Sequence, residues 1–346
     1  MASRTPRPAA NLSSEHDPGI AAARDRFDEI ERSSSASTRV GDTAIRFGTA
    51  SWTDPTLIAP GVFYPDRVKS AEGRLRYYSS VFSVVEVDST YYALPTTRVA
   101  ELWVERTPED FMFDVKAFGW MTGHATETVR LPRALQDALP DEIADKKRLY
   151  AKDVPHEIRD EAWRIFAEAI RPIHEAGKLG AVFLQYPSWV RPAAHSAEML
   201  ARARLRLGTL PIAVEFRHRD WLSAAHHART LALLRENEMS YVIVDEPQGF
   251  ASSVPPDTAV TSRRLAVVRL HGRRGETWEK RGTSVVERFR YLYNEEELGA
   301  WAPKIVAIAG ETEQVHVVFN NCYGNYGTTN ALEMAGLVGK WLEAGG

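Results

Sequence analysis

The sequence predicts an α/β protein, a TIM (β/α)8 barrel with a long insertion after strand 3 and an irregular sixth α unit. Eight short segments each begin apolar and end polar: Ile45–Trp52, Val84–Tyr92, Phe111–Phe118, Ala181–Pro187, Ile212–His218, Tyr241–Pro247, Ala266–Arg273 and Val315–Asn321. Helical patterns lie between most of them, and strand–helix alternation implies a parallel sheet. The polar residues also share a parity. Side chains in a strand alternate faces, so Glu86, Asp88 and Thr90 share one face. Asp114 and Lys116 do the same, as do Glu215 and Arg217, and Arg269, His271 and Arg273. Gln185 and Asp245 are single polar residues in otherwise apolar strands. In a parallel barrel the C-terminal strand ends form the active face, so chemistry is expected where these polar groups converge.

The elements follow in order. Residues 1–43 read as an N-terminal extension, partly disordered, and residues 44–346 as the barrel domain. Within the extension, Met1–Ser14 is rich in Pro, Ala, Arg and Ser, Ile20–Ile30 suits a short helix, and Ser33–Thr38 suits a linker. Ser70–Val81, Thr97–Thr107, His195–Leu207, Ser223–Asn237, Glu295–Ile308 and Thr328–Leu342 have helical patterns. Asn294 and Glu297 have capping-box spacing. Gly119–Gly180 is the insertion, with an amphipathic helix near Glu157–Ala176. Its first part, Gly119–Tyr150, is expected to cover the active face as a partial lid. Gln248–Arg264 is rich in Pro and Ser and shows no helix. A doubly wound open sheet would call for a glycine-rich phosphate turn after the first strand. SWTDPTLIAPGVFYP is not such a turn.

Composition narrows the classes. Of 346 residues, 44% are hydrophobic and 26% charged, as in ordinary globular proteins. A net charge of −3 gives no bulk attraction to nucleic acid or anionic membrane. The single cysteine, Cys322, excludes an internal disulfide and a cysteine-rich zinc site. No apolar run is long enough to span a membrane, and the N-terminus lacks an apolar signal core. Glu15, Asp17 and Asp25 argue against a transit peptide. A cytoplasmic protein is expected.

Several motifs then occur in a set order: GTASW, GVFYP, VEVDSTYYALP, FMFDVKA, LGAVFLQYP, VEFRHRDW, VRLHGR and VFNNCYGNYGTTNAL. Together they resemble the YecE-like family, domain of unknown function 72, from about Ile45 to Leu342. The resemblance implies a TIM barrel and no particular activity. The family's likeness to endonuclease IV-type and sugar-isomerase-type barrels is a likeness of fold.

The candidate site follows from the strand ends. Glu86, Asp88, Lys116, Glu215, Asp245 and His271 are the catalytic candidates, because acid–base work needs groups whose environments separate their pKa values. Gln185, Arg217, Arg269, Arg273, Asn320, Asn321 and Tyr323 are the substrate-binding candidates. Clustered arginines suit phosphate or carboxylate, and barrels often hold phosphate by the loops after strands 7 and 8. Gly324 and Gly327 offer backbone N–H donors there. The competing account is an internal salt-bridge network, since acids are as numerous as bases. No cofactor is expected. A divalent ion on Glu215, Asp245 and His271 is a lesser alternative, opposed by the arginines. The expected function is an enzyme acting on an anionic, phosphorylated small molecule by acid–base or hydrolytic chemistry. A nucleic-acid-binding or phosphodiester-cleaving protein is the alternative, and a non-catalytic ligand-binding barrel the second.

Overall fold

The computed structural model describes residues 17–31 and 36–345. Eight strands close on themselves: β1 (Thr43–Ala50), β2 (Val84–Val87), β3 (Met112–Lys116), β4 (Leu179–Gln185), β5 (Ile212–Glu215), β6 (Met239–Asp245), β7 (Ala266–Leu270) and β8 (Gln314–Phe319). Each pairs in parallel with the next, and β8 pairs in parallel with β1 through Ala44 to Thr49. The TIM barrel read from the alternation is therefore the observed architecture.

The longer helices are α1 (Pro18–Glu31), α2 (Ala71–Val81), α3 (Thr97–Glu105), α4 (His156–Glu175), α5 (Ser196–Leu207), α6 (His227–Glu236), α7 (Ala302–Ala309) and α8 (Tyr326–Glu343). Local chemistry sets their ends. The Ser70 side chain accepts from Gly73 N at the start of α2, the usual N-cap contact. The expected helix Glu295–Ile308 is split into Glu295–Gly299 and α7. Asn294 and Glu297 form the capping box of the first piece. Pro303 lies in the first turn of α7, a place where its missing N–H breaks no bond. Among the described residues, no helix joins β6 to β7. None of the described helices is long and apolar enough to cross a membrane.

Two strand ends depart from expectation. The second segment stops at Val87, and Ser89–Tyr92 forms a helical turn. Thr90 Oγ1 donates to Val87 O and Lys116 O, so Thr90 secures this turn rather than continuing the strand's inward face. The expected linker Ser33–Thr38 is in part an arm: Ser37–Val40 pairs antiparallel with β1. Residues 33–35 of that linker and the stretch Met1–Ser14 lie outside the described residues.

The barrel interior is polar in two layers. In the lower one, Asp114 and His316 are fully buried, with His316 Nδ1 3.0 Å from the carboxylate. Asp114 shares a face with Lys116 by parity, but its partner is His316 of β8. The upper layer holds Glu86, Glu215 and Arg269, described below. The apolar core lies between the strands and the helices.

Gly48 fixes how closely β1 and β2 approach. A Cβ there would stand 1.8 Å from the carbonyl oxygen of Val84, its register partner. Backbone cannot rotate aside as a flexible side chain does. Gly48→Ala is expected to lower stability by about 3 kcal/mol or more, at the upper end of overpacking costs. Urea unfolding of the variant beside wild type measures it.

Candidate site at the barrel mouth

Arg269 on β7 is 1% exposed. A buried guanidinium must be matched by acceptors, and the strands provide them. Its Nε and Nη2 donate to the two carboxylate oxygens of Glu86 at 2.7 and 2.8 Å. Its Nη1 donates to Glu215 Oε2 at 2.8 Å and to Gln185 Oε1 at 3.3 Å. Glu215 also meets Arg217, whose Nη1 donates to Glu246 Oε2 at 2.8 Å. The far oxygen of Glu246 accepts from Val254 N. His271, fully buried, lies 3.5 Å from Glu215 through Nε2 and 2.9 Å from Asn320 through Nδ1.

This floor sets the protonation of its members. Burial pushes the Glu215 carboxyl up, but Arg217, Arg269 and His271 outweigh it and hold it well below the usual range. Burial, with Arg217 and Arg269, keeps the His271 imidazole neutral by pushing its pKa well down. Burial pushes Glu246 up to about 8, against the pull of Arg217. Asp88 is raised by burial, reinforced by Glu86 and Asp54 and opposed by Lys116. Lys116 is lowered by burial and by Arg269.

Above the floor is an open cavity of about 570 Å³, within the range of small-molecule sites. Asp88, Lys116, Gln185, Arg217, Arg269 and Asn320 line it. The rest of its wall lies outside the candidates named from the strand ends. The helical turn after β2 presents Tyr91 and Tyr92, and the insertion after β3 contributes His124. Burial lowers that imidazole to about 4, with Lys116 and Arg217 adding to the effect. Trp189 follows β4, and Trp278, Arg288 and Phe289 follow β7. Loop aromatics carry no periodic signal that separates lining from packing.

Four candidates stand elsewhere. Asp245 and Arg273 pair with each other on the outer side of the barrel, at 2.6 and 2.8 Å. Trp301, at the start of α7, donates its indole N–H to Asp245. The cause is register: Arg269 lies beside Val244 and Leu270 beside Asp245, so Asp245 shares the helix-facing side. Its neighbour Glu246 is the acid that turns inward. The proposed metal set of Glu215, Asp245 and His271 therefore does not converge. Asn321 is fully buried and donates to Tyr291 O and Asn330 Oδ1. Tyr323 donates to Asp17 Oδ2 at 2.6 Å, beneath the cation of Arg290.

That last contact also closes the phosphate corner expected after strands 7 and 8. Gly324 N already donates to Thr56 Oγ1 at 2.9 Å. Ile20 and Ala23 of α1 pack there with Tyr323 and Tyr326. Gly324 serves this packing, a Cβ there meeting Ile20 at 2.9 Å, whereas Gly327 lies against Asn321, Thr49 and Phe319.

A closed parallel barrel with a charged floor and an open C-terminal mouth defines a TIM-barrel-like protein with a cavity of small-molecule size. The family model for the protein of unknown function DUF72 matches residues 46–344, and the chain belongs to that family. It is 30% identical over 297 residues to the UPF0759 protein YunF of Bacillus subtilis strain 168, an alignment covering 85% of this chain and 94% of that one. Among solved structures it is similar to a DUF72 family protein of Enterococcus faecalis V583, with 27% identity and a TM-score of 0.68. That match covers 85% of this chain and 95% of the other. A DUF72 family protein of Thermotoga maritima MSB8 matches with 29% identity and a TM-score of 0.66, over 86% and 99% of the two chains.

Two outcomes follow from the floor. Arg269→Met leaves Glu86 and Glu215 buried without their main cation, so stability is expected to fall by about 3–5 kcal/mol, read by denaturant unfolding. The second concerns Glu246, whose folded pKa of about 8 stands above the ordinary 4.5. The folded state thus holds this proton more tightly than the unfolded chain. The resulting stability is complete below the ordinary value and is lost as pH rises through about 8. Wild type should therefore lose stability relative to Glu246→Gln between about pH 5 and pH 8. Parallel unfolding curves across that range test the sign, and a difference that is flat with pH would contradict it.

Proposed function

We propose that this chain is an enzyme that holds an anionic, phosphorylated small molecule in the barrel mouth and acts on it by acid–base or hydrolytic chemistry. The state of Lys116 carries the reading. Its side chain is only 14% exposed, yet its nearest carboxylate oxygen, Glu86 Oε1, is 4.0 Å away. That oxygen already accepts from Arg269. Among the described residues no group hydrogen-bonds the Lys116 ammonium. A nearly buried cation matched only by a shared carboxylate at 4.0 Å and the face of Tyr91 at 5.1 Å is incompletely compensated, which costs free energy, and sites kept for function carry such costs.

The anion is accordingly assigned to Lys116 and to Arg217, whose Nε and Nη1 meet Glu215 and Glu246 but whose Nη2 has no acceptor among the described residues; Arg288, also in the lining, is a third cation. Arg269 is committed to Glu86, Glu215 and Gln185 and acts through the floor. Asn320 and Gln185 add neutral polar groups to the lining. Asp88 is the proton carrier in this reading. It borders the cavity, and burial raises its pKa, as general acids and bases require. Glu86, Glu215 and His271 lie beneath and fix the charges above them.

Thermal unfolding in rising phosphate tests this. A ligand that binds only the folded state raises the midpoint, by about 2.7 kcal/mol of stability at a hundred times its Kd. Wild type should show this rise. Lys116→Met should not, while its midpoint without phosphate stays equal or climbs. A wild-type midpoint unmoved by phosphate, sulfate and sugar phosphates would defeat the reading.

A further inference from the structure

The walls above the charged floor are aromatic on two sides. On one, Tyr92, Tyr91, His124 and Trp189 form a chain of ring contacts, with centroids 4.9, 5.1 and 5.6 Å apart. On the other, Trp278 and Phe289 meet at 6.1 Å, and both contact the buried His271 ring. Each wall has a cation at its foot. Lys116 Nζ lies 5.1 Å from the Tyr91 centroid, and Arg217 lies 5.4 Å from that of Trp278. The two cations assigned to the anion are thus the two that reach the aromatic walls.

The rim adds a second observation. Few large apolar side chains are exposed among the described residues, and three of them border this cavity: Trp189 at 60%, Val285 at 59% and Tyr92 at 48%. Exposed apolar groups scattered singly need no explanation, but their grouping around one opening marks a binding surface. The indole N–H of Trp278 is buried with no acceptor among the described residues, so the second wall also has a donor to spare. One phosphate would leave most of the 570 Å³ empty.

We infer that the anion is carried on a ring, which lies between the two aromatic walls while its phosphate or carboxylate reaches Lys116 and Arg217. This rests on the anion reading above and adds the substrate class, a ring-bearing monophosphate or carboxylate. Rings present a flat face to aromatic side chains, and stacking tolerates a range of ring types. An acyclic anion would satisfy the floor and leave both walls without a contact.

Calorimetric titration with four probes separates the two claims: inorganic phosphate, glycerol 3-phosphate as the acyclic control, ribose 5-phosphate and phenyl phosphate. Both ring compounds, or one of them, should bind about fivefold to a hundredfold more tightly than glycerol 3-phosphate, the range of one stacked ring. A gain for phenyl phosphate alone identifies a planar ring, and a gain for ribose 5-phosphate identifies a sugar ring. Trp189→Ala changes an exposed rim residue, so the fold should tolerate it, and it should narrow the ratio of ring-compound to glycerol 3-phosphate affinity. If glycerol 3-phosphate binds as tightly as both ring compounds, or the ratio survives Trp189→Ala, the ring inference is overturned and the anion site stands. If no probe binds, the anion reading itself has failed.

Discussion

A guanidinium sealed inside a barrel has to be surrounded by acceptors, and everything at this mouth is arranged around Arg269. Its carboxylates come from β2 and β5, not from its sheet neighbours β6 and β8. The bonds therefore cross the interior and tie separate parts of the barrel together. Once Glu86 and Glu215 are committed to Arg269, other properties follow. Glu215 stays ionised, His271 stays neutral, and Arg217 turns toward Glu246. The proton that the floor sheds at one acid it retains at another, since Glu246 is pushed up to about 8. A buried network of this kind contributes little net stability over an apolar core. What it provides is a fixed pattern of charge beneath the cavity.

Lys116 is the member that pattern leaves over. It sits at the same level, beside a carboxylate already shared with a stronger partner. The corner where barrels often keep phosphate is taken by α1, with Asp17 holding Tyr323 and Arg290. The cations assigned to the anion stand instead near β3 and β5, at Lys116 and Arg217. The aromatic walls rise from the loops after β2, β3, β4 and β7.

Much of this could be read from the chain. Eight segments with polar ends gave the barrel, and shared parity gave Glu86, Lys116, Gln185, Glu215, Arg217 and Arg269 as inward groups. Parity fails where it has no neighbours to anchor it. YVIVDEP contains two adjacent acids on opposite faces, and only the register with β7 shows that Glu246, not Asp245, faces inward. The same ambiguity separates Asn320, which lines the cavity, from Asn321, which is built into the β8–α8 connection. Arg273 lies past the end of its strand, where alternation no longer applies. Partner choice was less legible still. Asp114 pairs with His316, 202 positions away, rather than with the lysine two residues along. Sequence order says which charges exist; only closure of the sheet says which ones meet.

The span of the Arg269 contacts has a kinetic consequence. Its partners are 183 and 54 positions distant in the chain. Loop-closure entropy must be met before contacts of such range give anything back. A half-closed barrel would pair β5, β6 and β7 and so bring Glu215 near the guanidinium, but would leave Glu86, on β2, out of reach. Incomplete or misregistered closures therefore carry unmatched charge in their interior. The floor that shapes the cavity also acts as a check on assembly, one that only the fully closed barrel satisfies.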